Sequence, residues 1–421
     1  MTSRVTVHRI DPQDPAGAEA VLDLDQLVWA DDLRTPREVA LADTPTRAAW
    51  IARVDGEDAG IAASWDMELS VPAAGDGASL RPVEGLTWVG VHPDHRRRGV
   101  LTALIREHLR WTRHEQGRPI SVLKASEPGI YGRFGYGVAS STMMSSFARG
   151  TTFAAPPAVR ELADATTLRT RTASPDQGRR WHELARECAR TGAGHVVRSA
   201  QDSERLLLDH PESRDGREPA RLVWATREGR DVGVAHFHRS PKWTSGAAAG
   251  TVGVFFLLSV DAGARLALAE RLVDIDLMAT TEYWVAPDDV LALWLPSPRS
   301  VGGSGMTDNL WLRLVDLPAA VAERGHAADV DLVVGVRDEI LPDNAGSWRW
   351  TATGGTGAVS RTDATPDVTL DIGDLGAVWL GGQTLAARTA AGFVAEHRPG
   401  AVAELDAALR TAVGPVGTID F

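Results

Sequence analysis

Residues 85–109 read GLTWVGVHPDHRRRGVLTALIREHL, and this junction restricts the fold more than any bulk property of the chain. The apolar, β-branched and aromatic run 85–91 has strand character, and Pro93 interrupts it. From Gly99 onward apolar residues recur at helical spacing until Gly117 closes the helix. A strand that turns into an amphipathic helix, followed by the apolar run ISVLKAS at 120–126, predicts a layered α/β unit.

The turn itself carries chemistry. Arg96, Arg97, Arg98 and Gly99 open the helix, where the first backbone N–H groups have no intrahelical partner and the dipole is positive. Cations at that end disfavour the helix unless an anion offsets them. The segment 96–101 is therefore a candidate anion site, suited to a pyrophosphate. Gly99 lets a ligand approach the backbone because it has no Cβ.

The rest of the chain extends this pattern. A strand at 4–10, a helix at 17–29, two strands around Asp55-Gly56 within 48–69, a loop at 73–79 and the glycine-spaced aromatic loop 129–139 complete a unit over residues 1–150. Prolines at 151–159 mark a linker. Residues 151–300 loosely repeat the first order, with helices at 177–190, 201–209 and 261–273 and strands within 220–239 and 251–259. Residues 301–421 form a third unit, with strands near 330–371 and helices at 383–397 and 400–413. The junction SVDAGARLALAERL (259–272) lacks the basic cradle of the first unit.

Bulk properties narrow the function. Lys and Arg number 44 against 56 Asp and Glu, and the net charge of −12 speaks against nucleic acid and for cationic partners. Cys188 is the single cysteine, so an intramolecular disulfide is impossible and a reducing compartment fits. No metal site is expected, because His92/His95 and His236/His238 have no acidic partner motif such as H-E-x-x-H. The N-terminus MTSRVTVHRIDP has no signal-peptide core, and the apolar run 250–260 is too short to span a bilayer. The expectation is a soluble cytoplasmic protein without a membrane partner.

WVGVHPDHRRRGVLTAL (88–104) resembles the acetyl-CoA-binding motif of GCN5-related N-acetyltransferases, with Leu101 where glycine or alanine is usual. ASEPGIYGRFGYG (125–137), DNLWLRLVDLPAAVAERGHA (308–327) and LGAVWLGG (375–382) narrow the resemblance to the enhanced intracellular survival (Eis) branch, aminoglycoside and polyamine N-acetyltransferases. The resemblance implies an α/β (α+β) architecture of two tandem acetyltransferase folds, the second degenerate, followed by a sterol-carrier-like domain. It implies acetyl-CoA as co-substrate and a homo-hexamer. Val89, Gly90 and Val91 would bind the pantetheine arm, Arg96, Arg97, Arg98, Gly99, Val100 and Leu101 the pyrophosphate, and Ser126 and Glu127 would line the same cleft. Tyr131 matches the tyrosine that protonates the departing sulfur, and the α-carboxylate of Phe421 would orient and help deprotonate the amine. Asp31, Trp88 and Asp420 would face a cationic amine substrate, joined by Asp32, Glu68 and Trp29. Two other readings remain: a lipid- or sterol-binding carrier, and a protein lysine acetyltransferase.

Overall fold

The computed structural model describes residues 4–11, 14–29, 36–42, 44–45, 47–75, 77–297 and 302–416. Asp31, Asp32, Asp420 and Phe421 lie outside the described residues.

The first unit runs β1 (Val5–Ile10), α1 (Pro15–Trp29), α2 (Arg37–Ala42), β2 (Ala48–Val54), β3 (Glu57–Pro72), β4 (Ala78–Val91), α3 (Val100–His114), β5 (Ile120–Leu123) and β6 (Gly137–Val138). Its sheet is ordered β1-β2-β3-β4-β5, then the strand Trp311–Leu314, then β6. Antiparallel hairpins build one side, and the β4–α3–β5 crossover supplies the parallel pair, as a strand–helix–strand unit requires. The helix α3 buries Val100, Leu104, Ile105, His108, Leu109 and Trp111, a stripe at helical spacing that packs on β2 and β3.

The second sheet contains β7 (Ser141–Ala148), which pairs with Met278–Val285 and Gly302–Asp308. The parallel strands Gly250–Ser259 and Met278–Val285 flank the helix Ala262–Val273 and so repeat the first crossover. The third sheet is ordered Thr356–Arg361, Gly346–Thr353, Val330–Arg337, Val368–Asp371, Ala395–Glu396.

The sheets exchange strands across the boundaries expected at 150 and 300. β7 belongs to the second sheet, while Trp311–Leu314 reaches back into the first, pairing with both β5 and β6. Val196–Arg198 also joins the edge of β3. One buried cluster runs from Trp65 and Trp181 through Leu312 to Trp350 and Trp379, so the three units share a core. Burial excludes water continuously across those junctions, which couples the units energetically.

Some local expectations change. The expected loop 73–79 is shorter, because β4 already begins at Ala78. The expected linker 151–159 gives way to a helix at Pro157, where a missing N–H costs nothing in the first turn. The expected helix 383–397 is confined to Leu385–Ala390 and is followed by the short strand Ala395–Glu396. Cys188 is buried in the shared core, and burial pushes its thiol up to about 12, which leaves it inert.

The third unit meets the first backbone to backbone. The helix Ile372–Val378 packs on Trp311–Leu314 and on β6. A Cβ at Gly137 would run into the Gly373 carbonyl and the Ala377 amide. Beneath this contact the fully buried Arg313 binds both carboxylate oxygens of Asp338, each at 2.7 Å. Removing one partner of such a pair leaves an uncompensated buried charge and costs about 3–5 kcal/mol. Gly137→Ala is expected to destabilise the protein by about 1–3 kcal/mol through overpacking against backbone that cannot yield. Gly192→Ala, where the added methyl meets nothing, is the control. Denaturant midpoints of the two variants check this.

Candidate active site

β4 and β5 pair only at Glu84↔Ser121 and Gly85↔Val122. Beyond that point β4 continues through residues 86–91, with no strand on that side among the described residues. A bulge accompanies the parting: Ile61 pairs with Gly90 and Ala63 with Thr87, so Trp88 and Val89 face a single residue. Trp88 has a φ of 49°, a left-handed value that a bulky side chain adopts only under constraint. The result is a wedge-shaped gap with a row of backbone groups along one wall.

The gap opens into a cavity of about 450 Å³ lined by Val89, Gly90, Val91, Arg96, Arg97 and Gly99 at one end and Ser126, Glu127 and Tyr131 at the other. A second cavity, of about 350 Å³, shares Trp29, Val89, Ser126 and Tyr131 with the first and adds Asp25, Trp88 and Lys124. Tyr131 therefore stands where two halves of one cleft meet.

The turn before α3 is built to leave its donors available. Gly99 caps the helix with a φ of 86° and no side-chain hydrogen bond, and a Cβ there would meet nothing within 4 Å. Arg96, Arg97, Gly99, Val100 and Leu101 all line the cavity. Arg98 does not: its guanidinium bonds Asp55 at 2.8 Å and lies 3.1 Å from His95 Nδ1. An uncapped helix start with two arginines beside an open edge strand fits a diphosphate joined to an amide-rich arm.

Tyr131 lies between two short 3-10 turns, Pro128–Ile130 and Gly132–Phe134. Its carbonyl accepts the Phe134 and Tyr136 amides at 3.0 and 3.4 Å, and its ring contacts those of Tyr136 and Trp311. It is 9% exposed, and its hydroxyl has no hydrogen-bond partner among the described residues. Burial, with the Glu127 charge second, pushes this phenol up to about 12, so it stays protonated through neutral and alkaline pH. Behind it, Tyr136 bonds Ser121 at 2.8 Å and Ser121 bonds His108 at 2.9 Å. Burial drives His108 down to about 3, which leaves the imidazole neutral.

The second crossover differs at each of these points. Asp261 caps the helix Ala262–Val273 with its own carboxylate, which accepts the Ala264 amide at 2.9 Å and pairs with Arg227. Tyr283, 3.4 Å from the Leu257 carbonyl, and the buried Arg265–Asp289 pair occupy the adjoining space. The helix dipole is already satisfied by the protein itself.

The structure brings together Trp88, Val89, Gly90, Val91, Arg96, Arg97, Gly99, Val100, Leu101, Ser126, Glu127 and Tyr131. Glu68 is instead ion-paired to Arg186 at 2.7 Å. Sequence reasoning missed Asp25 and Lys124. Asp25 and Trp29 are four residues apart on α1 and so share one face, a spacing visible in the sequence.

The GNAT acetyltransferase domain family matches residues 9–139, and a second GNAT family matches residues 194–314. The sterol carrier protein domain family matches residues 317–416. An uncharacterized N-acetyltransferase of Streptomyces avermitilis is 37% identical over 358 residues, 85% of each chain. The N-acetyltransferase Eis of Mycobacterium tuberculosis is 30% identical over 402 residues, 89% of each chain. The crystal structure of Eis1 from Mycobacterium abscessus superposes with a TM-score of 0.80 at 31% identity, covering 98% of this chain and all of that one (100%). The chain is an N-acetyltransferase and belongs to the Eis-like family of GCN5-related N-acetyltransferases.

Proposed function

We propose that the chain transfers an acetyl group from acetyl-CoA to a primary amine of a polycationic small molecule of the aminoglycoside or polyamine type. The observation that carries this reading is the parted β4 edge, ending at an uncapped helix start on one side and at Tyr131 on the other. Acetyl-CoA, when bound, supplies an acetyl thioester that a neutral amine can attack.

The chain's own groups do the rest. Backbone N–H groups along residues 86–91 bind the pantetheine arm and the thioester oxygen, stabilisation of the kind that dominates acyl transfer. Arg96, Arg97 and the N–H groups of the first α3 turn hold the diphosphate. Tyr131 donates its proton to the sulfur as the C–S bond breaks, and the proton released by the amine restores the phenol. Asp25, Trp29 and Trp88 are assigned to the acceptor side, where the two aromatic faces suit an ammonium-rich ligand and Asp25 shares the cavity with Lys124. Asp31, Asp420 and the α-carboxylate of Phe421 are assigned to the same side. A C-terminal carboxylate of pKa roughly 3.5 is a weak base, so Phe421 orients the amine and acts through water. The chain is assigned to the cytoplasm as a homo-oligomer, a hexamer on the family resemblance. No helix among the described residues is long and apolar enough to cross a membrane. A carrier function is disfavoured, because Trp348, Trp350, Trp379 and Leu332 fill the core of the third unit.

Thiol release from acetyl-CoA against aminoglycosides, polyamines and lysine peptides tests the reading and names the acceptor class. Tyr131→Phe is expected to lower kcat by about 10²- to 10⁴-fold with KM little changed, and a chain lacking Phe421 to lose activity as well. Release that is absent from every amine in the wild type would sink the proposal. Arg96→Ala is expected to raise the KM for acetyl-CoA by about 10- to 100-fold through loss of a charge-assisted contact. Arg98→Ala, removing a group already paired with Asp55, should change it by no more than about twofold. The pH profile should rise as the acceptor amine loses its proton and show no descending limb near pH 10, where an ordinary tyrosine would ionise. The raised Tyr131 phenol sets that sign.

A further inference from the structure

On its near side the loop that carries Tyr131 is anchored to the first unit, by the Tyr136 hydroxyl on Ser121 and by the packing of Tyr131, Phe134 and Tyr136 in that unit's core. Its backbone hydrogen bonds are local turns, Ile130 to Glu127, Phe134 and Tyr136 to Tyr131, and Gly135 to Gly132. Its far side rests on groups from later in the chain. Gly135, at a φ of 79°, lies directly over Arg313: a Cβ there would be 2.9 Å from the guanidinium carbon and 2.7 Å from Ile372. Arg313 belongs to the strand that the segment after the second unit inserts between β5 and β6, and the same strand supplies Trp311 against the Tyr131 ring.

Arg313 is in turn held by the third unit. Asp338 binds it through both oxygens and also accepts the amides of Ile340 and Leu341 at 3.1 and 2.9 Å and the Asn344 side chain at 3.1 Å. Arg313 and Asp338 are both essentially without solvent contact. One guanidinium nitrogen, Nη2, donates to both Asp338 oxygens while Nη1 donates to the Leu314 carbonyl at 3.0 Å, and Asp338 is fixed by three further donors. The Tyr131 loop therefore lies on a rigid plate whose position the third unit sets.

We infer that Arg313 and Asp338 are positioning residues for Tyr131: the third unit contributes to catalysis by holding the proton donor in the cleft through this buried pair. The inference rests on the reading of Tyr131 as the general acid. Misplacing a donor by a fraction of its hydrogen-bonding distance lowers the rate without weakening coenzyme binding, because neither residue lines the coenzyme cavity. The pair thus gives the third unit of this chain a task at the acid side of the reaction, beside the one proposed for Phe421.

Two measurements test it on the full chain. In the ligand-free protein, Asp338→Asn is expected to speed hydrogen exchange of the Phe134, Gly135 and Tyr136 amides by about tenfold or more, while α3 amides keep their protection. In turnover, Asp338→Asn is expected to lower kcat by about 10- to 100-fold with the KM for acetyl-CoA unchanged. Placed in a chain that already carries Tyr131→Phe, it should lower kcat by no more than about twofold, since its route to the chemistry is gone. Arg313→Lys, which keeps the charge but loses the planar guanidinium and its Nη1 bond to the Leu314 carbonyl, supplies the same cycle should Asp338→Asn not fold. Equal losses in both backgrounds, or unchanged loop exchange, would overturn the inference and leave the pair a brace. Tyr131→Phe without effect on its own would overturn the acid reading, and the inference with it.

Discussion

The wall of the cleft is a strand whose hydrogen-bonding groups on one side have been denied a neighbour. Backbone donors and acceptors at the edge of a buried sheet must be satisfied by something. β5 departs from β4 after Gly85, and no strand among the described residues replaces it, which leaves that edge open to a ligand. The bulge at Trp88, the left-handed Gly99 and Tyr131 are all gathered around that parting. The bulge re-aims the open edge, Gly99 ends the turn without a cap of its own, and the tyrosine loop fills the space that β5 has left.

The second crossover shows what happens when the same architecture is closed from within. Its helix is capped by Asp261, and its gap is filled by Tyr283 and the Arg265–Asp289 pair. A carboxylate built into the chain is permanently present at the helix N-terminus, whereas a soluble anion has to be recruited and ordered. The first crossover has no side-chain cap at its helix start, so that position stays open to an anion. The second takes it for stability, and its sheet serves as the frame that carries β7 and delivers Trp311–Leu314 to the first sheet.

That delivered strand makes the units inseparable. It lies between β5 and β6, lends Trp311 to the tyrosine pocket and sends Arg313 into the third unit. Displacing this buried guanidinium from its carboxylate partner would leave a charge without a counter-charge, which disfavours other arrangements of the junction. The shared apolar core presses the units together, but it is indifferent to register. The ion pair and the close glycine contacts at 135 and 137 supply the register.

Much of the first unit was legible in the sequence. The junction at 85–109 announces strand, turn and helix by period and by punctuation, and the arginines at a helix start imply an anion because the dipole would otherwise oppose them. What lies on one segment can be read from that segment. The division of labour among the three arginines could not be read, because the partner that removes Arg98 from the cleft, Asp55, is on another hairpin. The same holds for Asp25, whose place on the acceptor side depends on how α1 lies across β4. The exchanged strands and the Arg313–Asp338 pair were also invisible. Local pattern determines which element a segment forms and which face is apolar, while hydrogen-bond partners across a sheet and charge partners across a core are chosen by long-range packing, so the sequence determined the parts of this cleft and only the tertiary structure decided which of them meet at Tyr131.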